Sequence, residues 1–236
     1  LLFTPNPFTT APKVLRLQGS ASYDVLNGFE PIIKTALQPL VLVTSTGSAY
    51  QSIGDVLAAD KAGTKISYGT PGAGSPMHIL GEWLNREAGA KIEHIAYRGT
   101  APSVTDVVAG HVDLVWTTLG TVEQYLKTGK LRALAVAEPK RTALAPGVPT
   151  LVEVGYPQLV LGAWNGFFAP KGTPQAIVDL LNGQLNDILK EPEVVEKIAV
   201  FGALPAGGAP DVLRQTNAAE YVALGKLIDE LGIQAQ

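Results

Sequence analysis

The chain has 236 residues, of which 46% are apolar and 17% charged, with a formal charge of −3. This composition supplies a sizeable core and argues against disorder, and the interspersed charges form no basic block of the kind that neutralises phosphates, which disfavours a nucleic-acid partner. Cysteine is absent, which removes disulfides, thiolate catalysis and thiolate metal sites together.

The apolar stretches are broken by Pro, Gly, Gln or charge well before the ~20 residues of a membrane span. No signal peptide is visible. The chain opens on Leu1-Leu2-Phe3-Thr4 without an initiator Met, which reads as the interior of a strand and implies that the beginning of the natural protein lies outside this sequence.

From residue 40 onward, short β-branched runs alternate with helix-length amphipathic segments, the rhythm of βαβ units and a mainly parallel sheet. Leu40 to Thr44 reads as a strand and Ala49 to Ala59 as a helix. Lys65 to Gly69 is the next strand, followed by a glycine loop and a helix over Pro76–Ala88. Lys91 to Ile95 leads through Arg98-Gly99-Thr100 into a helix near Pro102–Ala109. His111 to Trp116 is a strand, Val122 to Lys127 a short helix, and Leu131 to Val136 closes the series.

Pro146 to Tyr156 is turn-rich. Leu159 to Phe168 is again strand-like, and Thr173-Pro174 reads as an N-cap followed by proline at the first helical position. Helices are expected over Pro174–Leu189, Pro192–Phe201 and Ala209–Leu231. The change of rhythm suggests two α/β lobes, 43–163 in one and 1–42 with 164–236 in the other, joined by two crossover strands. Two passages between lobes make a hinge suited to closure on a ligand.

Gly69-Thr70-Pro71-Gly72-Ala73-Gly74-Ser75-Pro76 lies between a strand and a helix, where such a sheet places its ligand crevice. The glycines allow close backbone approach, and the helix start favours an anion. Ser75 can cap the helix or donate to a carboxylate. Ser75 also stands where a P-loop needs lysine, and Met77 stands at the third glycine position of a dinucleotide fingerprint, so a small anion fits better than a nucleotide.

In the same order and spacing, Tyr68 to Ser75 with His78, Tyr97-Arg98-Gly99-Thr100-Ala101-Pro102 and Gly110 to Leu114 resemble the signature of the tripartite tricarboxylate transporter receptors, the TctC or Bug family. Gly129 to Ala135, Arg141, Pro149-Thr150 and Phe168 to Pro174 continue the match. The resemblance implies a two-lobed periplasmic-binding-protein (Venus flytrap) fold of the α/β class. It also implies a periplasmic, monomeric, cofactor-free receptor that delivers a small organic acid to cognate membrane permease subunits. In such proteins two loops pinch the ligand carboxylate; Gly69–Pro76 matches one, and the other lies ahead of the segment matching Leu1, so the first lobe is expected to be incomplete here. Trp116-Thr117-Thr118-Leu119-Gly120 and Asn165 depart from the family pattern, so the ligand's identity does not transfer.

The expected ligand contacts are Thr70, Gly72, Ala73, Gly74, Ser75 and His78 in the glycine loop, Thr100 and Ala101 at the next helix start, and Thr117 and Thr118 at a strand end. Thr4, Asn6 and Trp164 are the candidates from the other lobe. His78 reads first as a hydrogen-bond support for the loop. His94 and His111 read as too scattered to join it in a metal site. Asp55, Glu82, Asp106 and Asp113 show no acid–base spacing and read as solvated faces or packing partners. The alternatives are an α/β enzyme acting on a small carboxylate with Ser75 and His78 in its site, and a sensory or chaperone relative of the receptor.

Overall fold

A computed structural model describes residues 1–15 and 22–233. Residues 16–21 and 234–236, assigned above to the first lobe, lie outside the described residues. The chain divides into two compact units, Leu1–Gln38 with Ala163–Gln236, and Pro39–Gly162.

The 39–162 unit is built on a five-stranded sheet in the order β5-β4-β6-β3-β7. Its strands are β3 (Leu40–Ser45), β4 (Ser67–Thr70), β5 (Glu93–Ala96), β6 (Leu114–Thr118) and β7 (Leu131–Val136). Here the structure corrects an expectation. The sheet is mixed: β4 runs parallel to β5 and β6, but β3 is antiparallel to both β6 and β7. Leu40 to Thr44 are all buried, so β3 reads as a continuous apolar run, and such a run does not reveal strand direction.

Both faces of that sheet are covered. Val41, Val43, Val115 and Val136 pack with Val104 and Val107 of α4 (Thr100–Ala109) and with Leu119 and Val122 of α5 (Leu119–Lys127). Each such fully buried side chain contributes about 1.5–3 kcal/mol. On the other face lie Leu42, Tyr68, Leu114 and Trp116, with α3 (Pro76–Ala88) packed against them. Residue 81 of α3 must be glycine for this approach, because a Cβ there would lie on the Tyr68 ring. The helix between β3 and β4, α2 (Ile53–Lys61), begins at Ser52, later than expected, with a reciprocal capping box between Ser52 and Asp55.

The other unit carries a four-stranded antiparallel sheet, β1-β8-β2-β9, from β1 (Leu2–Pro5), β2 (Phe29–Gln38), β8 (Ala163–Pro170) and β9 (Leu204–Pro205). Trp164 and Phe168 point to one face, where Phe8 of α1 (Pro7–Val14) and Leu213 of α8 (Pro210–Glu230) pack. Ile32, Ile33 and Ala169 form a second cluster, against Leu181 and Leu185 of α6 (Gln175–Ile188). The remaining helix is α7 (Pro192–Val200). Pro174 itself is the N-cap of α6 and not its first residue, and the Thr173 hydroxyl donates backward to Pro170 O at 2.7 Å.

A candidate carboxylate site at the sheet edge of residues 39–162

Because β4, β5 and β6 are parallel, their C-terminal ends lie on one edge, and each is followed by a helix start. The loop after β4 is braced from within. Ser75 caps α3 by accepting the His78 N–H at 3.2 Å, and its own hydroxyl donates to Gly72 O at 2.8 Å. His78 Nδ1 accepts the Gly74 N–H at 2.9 Å, and Gly74 turns the chain at φ +73°, a conformation that favours glycine. Thr70 Oγ1 lies 2.7 Å from His94 Nε2 and 3.2 Å from Gly72 O.

These bonds redefine several expected ligand contacts. The Ser75 proton is spent on Gly72 O, so Ser75 acts as cap and brace and is not free to donate to a carboxylate. Thr70 is fully buried and committed to His94 and Gly72. His78 supports the loop, as expected. His94, however, is not scattered from it: the two imidazoles stack with centroids 3.8 Å apart and planes at 17°. Burial lowers both to about 4, His94 also through its neighbour His78, so the pair is neutral at pH 7. Among the described residues no group of three His, Cys, Asp or Glu could hold a metal ion.

The loop after β5 is tied to the first by Gly99 N–H to Pro71 O at 2.9 Å and Tyr97 N–H to Thr70 O at 3.0 Å. Gly99, at φ +105°, is the N-cap of α4, which starts at Thr100 and not near Pro102; no side chain caps it. Tyr97 lies against Gly69, where a Cβ would come 2.9 Å from its ring, and its hydroxyl donates to Asp106 at 2.8 Å. Thr118 is the N-cap of α5, again without a side-chain cap, and its hydroxyl pairs with that of Thr121 at 2.8 Å. Thr117 is fully buried, and its Oγ1 has no hydrogen-bond partner among the described residues.

The edge therefore presents three helix starts on adjacent strands, with two of them uncapped by side chains. The N–H groups of Ala73, Met77, Thr100, Ala101 and Gly120 have no acceptor among the described residues. Helix starts concentrate unpaired donors and positive potential, so this edge suits a small anion.

The four carboxylates weighed earlier are local structural partners. Asp55 closes the start of α2, Glu82 accepts the Tyr68 hydroxyl at 2.6 Å, Asp106 serves Tyr97, and Asp113 accepts the Ser67 N–H at 2.8 Å and hydroxyl at 2.9 Å. Burial and Glu82 push the Tyr68 phenol far above its ordinary range.

In the other unit, Thr4 is half-buried on β1, its hydroxyl donating to Pro5 O at 3.3 Å. Asn6 is buried; its N–H donates to Trp164 O at 2.9 Å and its side chain hydrogen-bonds Glu220. Trp164 is a core residue, 2% exposed, with its indole N–H donating to both Glu220 oxygens at 3.0 and 2.9 Å. Asn6 and Trp164 thus satisfy Glu220, a carboxylate that sequence reasoning missed because nothing within α8 marks it. Burial nonetheless raises Glu220 above the usual carboxylate range.

The architecture is that of the two-lobed periplasmic binding proteins. More narrowly, the chain belongs to the tripartite tricarboxylate transporter family receptors, whose family model matches residues 1–233. It is 35% identical, over 88% of its length, to the UPF0065 protein in the tcbD-tcbE intergenic region of Pseudomonas sp. strain P51. It is also 35% identical, over 92% of its length, to BugT of Bordetella pertussis. The chain spans 62% and 67% of the lengths of these two curated relatives. Among solved structures it resembles Rpa4515 of R. palustris with adipate, at 28% identity and TM-score 0.87, covering 99% of this chain and 78% of that one. MatC of Rhodopseudomonas palustris with bound malate matches at 26% identity and TM-score 0.81, covering 96% and 78%.

Proposed function

We propose that this protein is a periplasmic solute receptor that captures a small organic carboxylate and passes it to a tripartite tricarboxylate-type membrane transporter. It does so as a monomer, without cofactor or chemical step. The observation that carries the reading is the set of unpaired N–H groups at the uncapped starts of α4 and α5, beside the braced loop after β4. Two relatives of the same fold are described with dicarboxylates, adipate and malate. The enzyme reading is disfavoured by the bonding of its two candidates. The Ser75 hydroxyl donates to a backbone carbonyl, and His78 Nδ1 is occupied by the Gly74 N–H. A serine nucleophile needs its base within reach of a free hydroxyl proton.

Thr117→Val tests this reading. Its hydroxyl is buried and unpartnered, so an isosteric replacement leaves stability unchanged or raises it by about 1 kcal/mol. If the hydroxyl instead serves a bound carboxylate, affinity for a dicarboxylate such as adipate or malate falls by roughly 5- to 10-fold. Isothermal titration calorimetry and urea unfolding measure the two. Dicarboxylate affinity equal in variant and parent would remove Thr117 from the site, and no heat with any of a panel of organic acids would count against the receptor.

A further inference from the structure

The opposite end of the same sheet carries a second concavity. β3 ends at Ser45, beside the start of β6, and β6 has five residues, so this end lies about 15 Å from the Thr117–Thr118 edge. A cavity of about 420 Å³ opens there, lined by Ser45, Ser48, Tyr50, Ala109, Gly110 and Asp113, among others.

Among the described residues, Asp113 supplies the only charge in the lining. Its Oδ2 accepts both the N–H and the hydroxyl of Ser67, while Oδ1 has no partner among the described residues. The C-terminus of α4 enters the same wall: the chain turns at Gly110, φ +77°, and the carbonyls of Val108 and Ala109 have no helical N–H ahead of them. A helix end of this polarity favours a cation. The nearby start of α2, which would favour an anion, is already closed by Asp55, whose Oδ2 accepts the Gln51 and Ser52 N–H groups at 2.9 Å. Tyr50 adds an aromatic ring, a surface that attracts cations. Its carbonyl is held by Arg132 Nη1 at 3.2 Å, which fixes the loop, and Arg132 is not part of the lining.

The acceptors come from separate elements, namely the loop after β3, the end of α4 and the start of β6. That spread suits the divergent donors of a compact ammonium better than the planar fork of a guanidinium. A single carboxylate is too little for a bare divalent cation, and among the described residues no metal-ligand cluster exists.

We propose that this cavity is a binding site for a primary ammonium group, carried either by a small amine or by a lysine side chain of a protein partner. The site stands apart from the carboxylate edge, so it survives or fails independently of the receptor reading. The test is an amide NMR titration of the protein with n-butylammonium chloride, with sodium chloride at matched ionic strength as control.

Saturable shifts are expected at Gly47, Ser48, Gly110 and Asp113 with millimolar affinity, weakened ~10-fold in Asp113→Asn. Because Asp113 also holds Ser67, Ala109→Leu is the second variant: it fills the cavity from an exposed position and should abolish the shifts with the fold intact. A blocked lysine-containing peptide distinguishes the sources. Tighter binding than butylammonium points to a protein partner, and weaker binding to a small amine. Shifts reproduced by sodium chloride, or unchanged in Ala109→Leu, would overturn the proposal, as would the absence of any saturable shift.

Discussion

Gly81→Ala is expected to lower the unfolding free energy by about 3 kcal/mol, the upper part of the range for overpacking a well-filled core. The added methyl would lie on Cε2, Cζ and Oη of Tyr68. Tyr68 cannot give way: it is 2% exposed, sits on β4, which is flanked by β5 and β6, and its hydroxyl is held by Glu82 at 2.6 Å. Moving the ring would break that bond between the buried phenol and the half-buried Glu82 carboxylate, which adds to the steric cost. The helix would have to retreat instead, carrying Ser75 and His78 away from the loop they brace. Urea unfolding of Gly81→Ala, Tyr68→Leu and the double variant separates these terms. The double variant should lose less than the sum of the singles, because the smaller side chain makes room for the methyl. Strict additivity would mean that the contact between residues 81 and 68 is not the cause.

Stability is expected to fall as pH is lowered from 7 to 5.5, and His78 is a main source of the fall. Burial lowers His78 to about 4 in the native state, against 6.5 for an ordinary imidazole. Between those values the unfolded chain binds a proton that the folded chain refuses, so stability rises with pH. The contribution is fully present above about pH 6.5 and is lost progressively as pH falls toward 4. For His78 the loss between pH 7 and 5.5 is roughly 1 kcal/mol. His94 adds to it with the same sign, since it is lowered by burial and by His78. Burial raises Glu138 and Glu220, and those groups favour the folded state as pH falls, so the comparison is best made above pH 5.5. His78→Gln can still accept the Gly74 N–H, and urea unfolding should show its profile flattened by roughly 1 kcal/mol over that interval. An unchanged slope would place the neutral histidine elsewhere.

The parts of the site written in consecutive residues were legible in the sequence. Ser75-Pro76 announced a cap and a first helical residue, and the structure has both. The support of the glycine loop by His78, three residues beyond the cap, follows from the same local spacing. What was not legible depends on pairing between distant segments. His94 reaches His78 only because β5 pairs in parallel with β4, in a register that sets His94 beside Tyr68. Ser75 looked like a donor to a ligand because its acceptor, Gly72 O, is set by the backbone turn and not by any side chain. β2 went unread because Pro31, Glu30 and Lys34 interrupt its apolar pattern, and the strand accommodates this region with register shifts between Pro31 and Ile33 and between Lys34 and Ala36. Trp164 carried no local sign of its partner, since Glu220 lies 56 residues away on α8.

The central claim is that this chain holds a small carboxylate without transforming it. Native mass spectrometry of gently purified protein, followed by release and identification of any bound small molecule, tests it most directly. Where the natural protein extends beyond this chain, the full-length form is the sample. One organic acid per chain, recovered unmodified, is the expected result. A bound nucleotide, a tightly held metal or a covalent adduct on Ser75 would contradict the account.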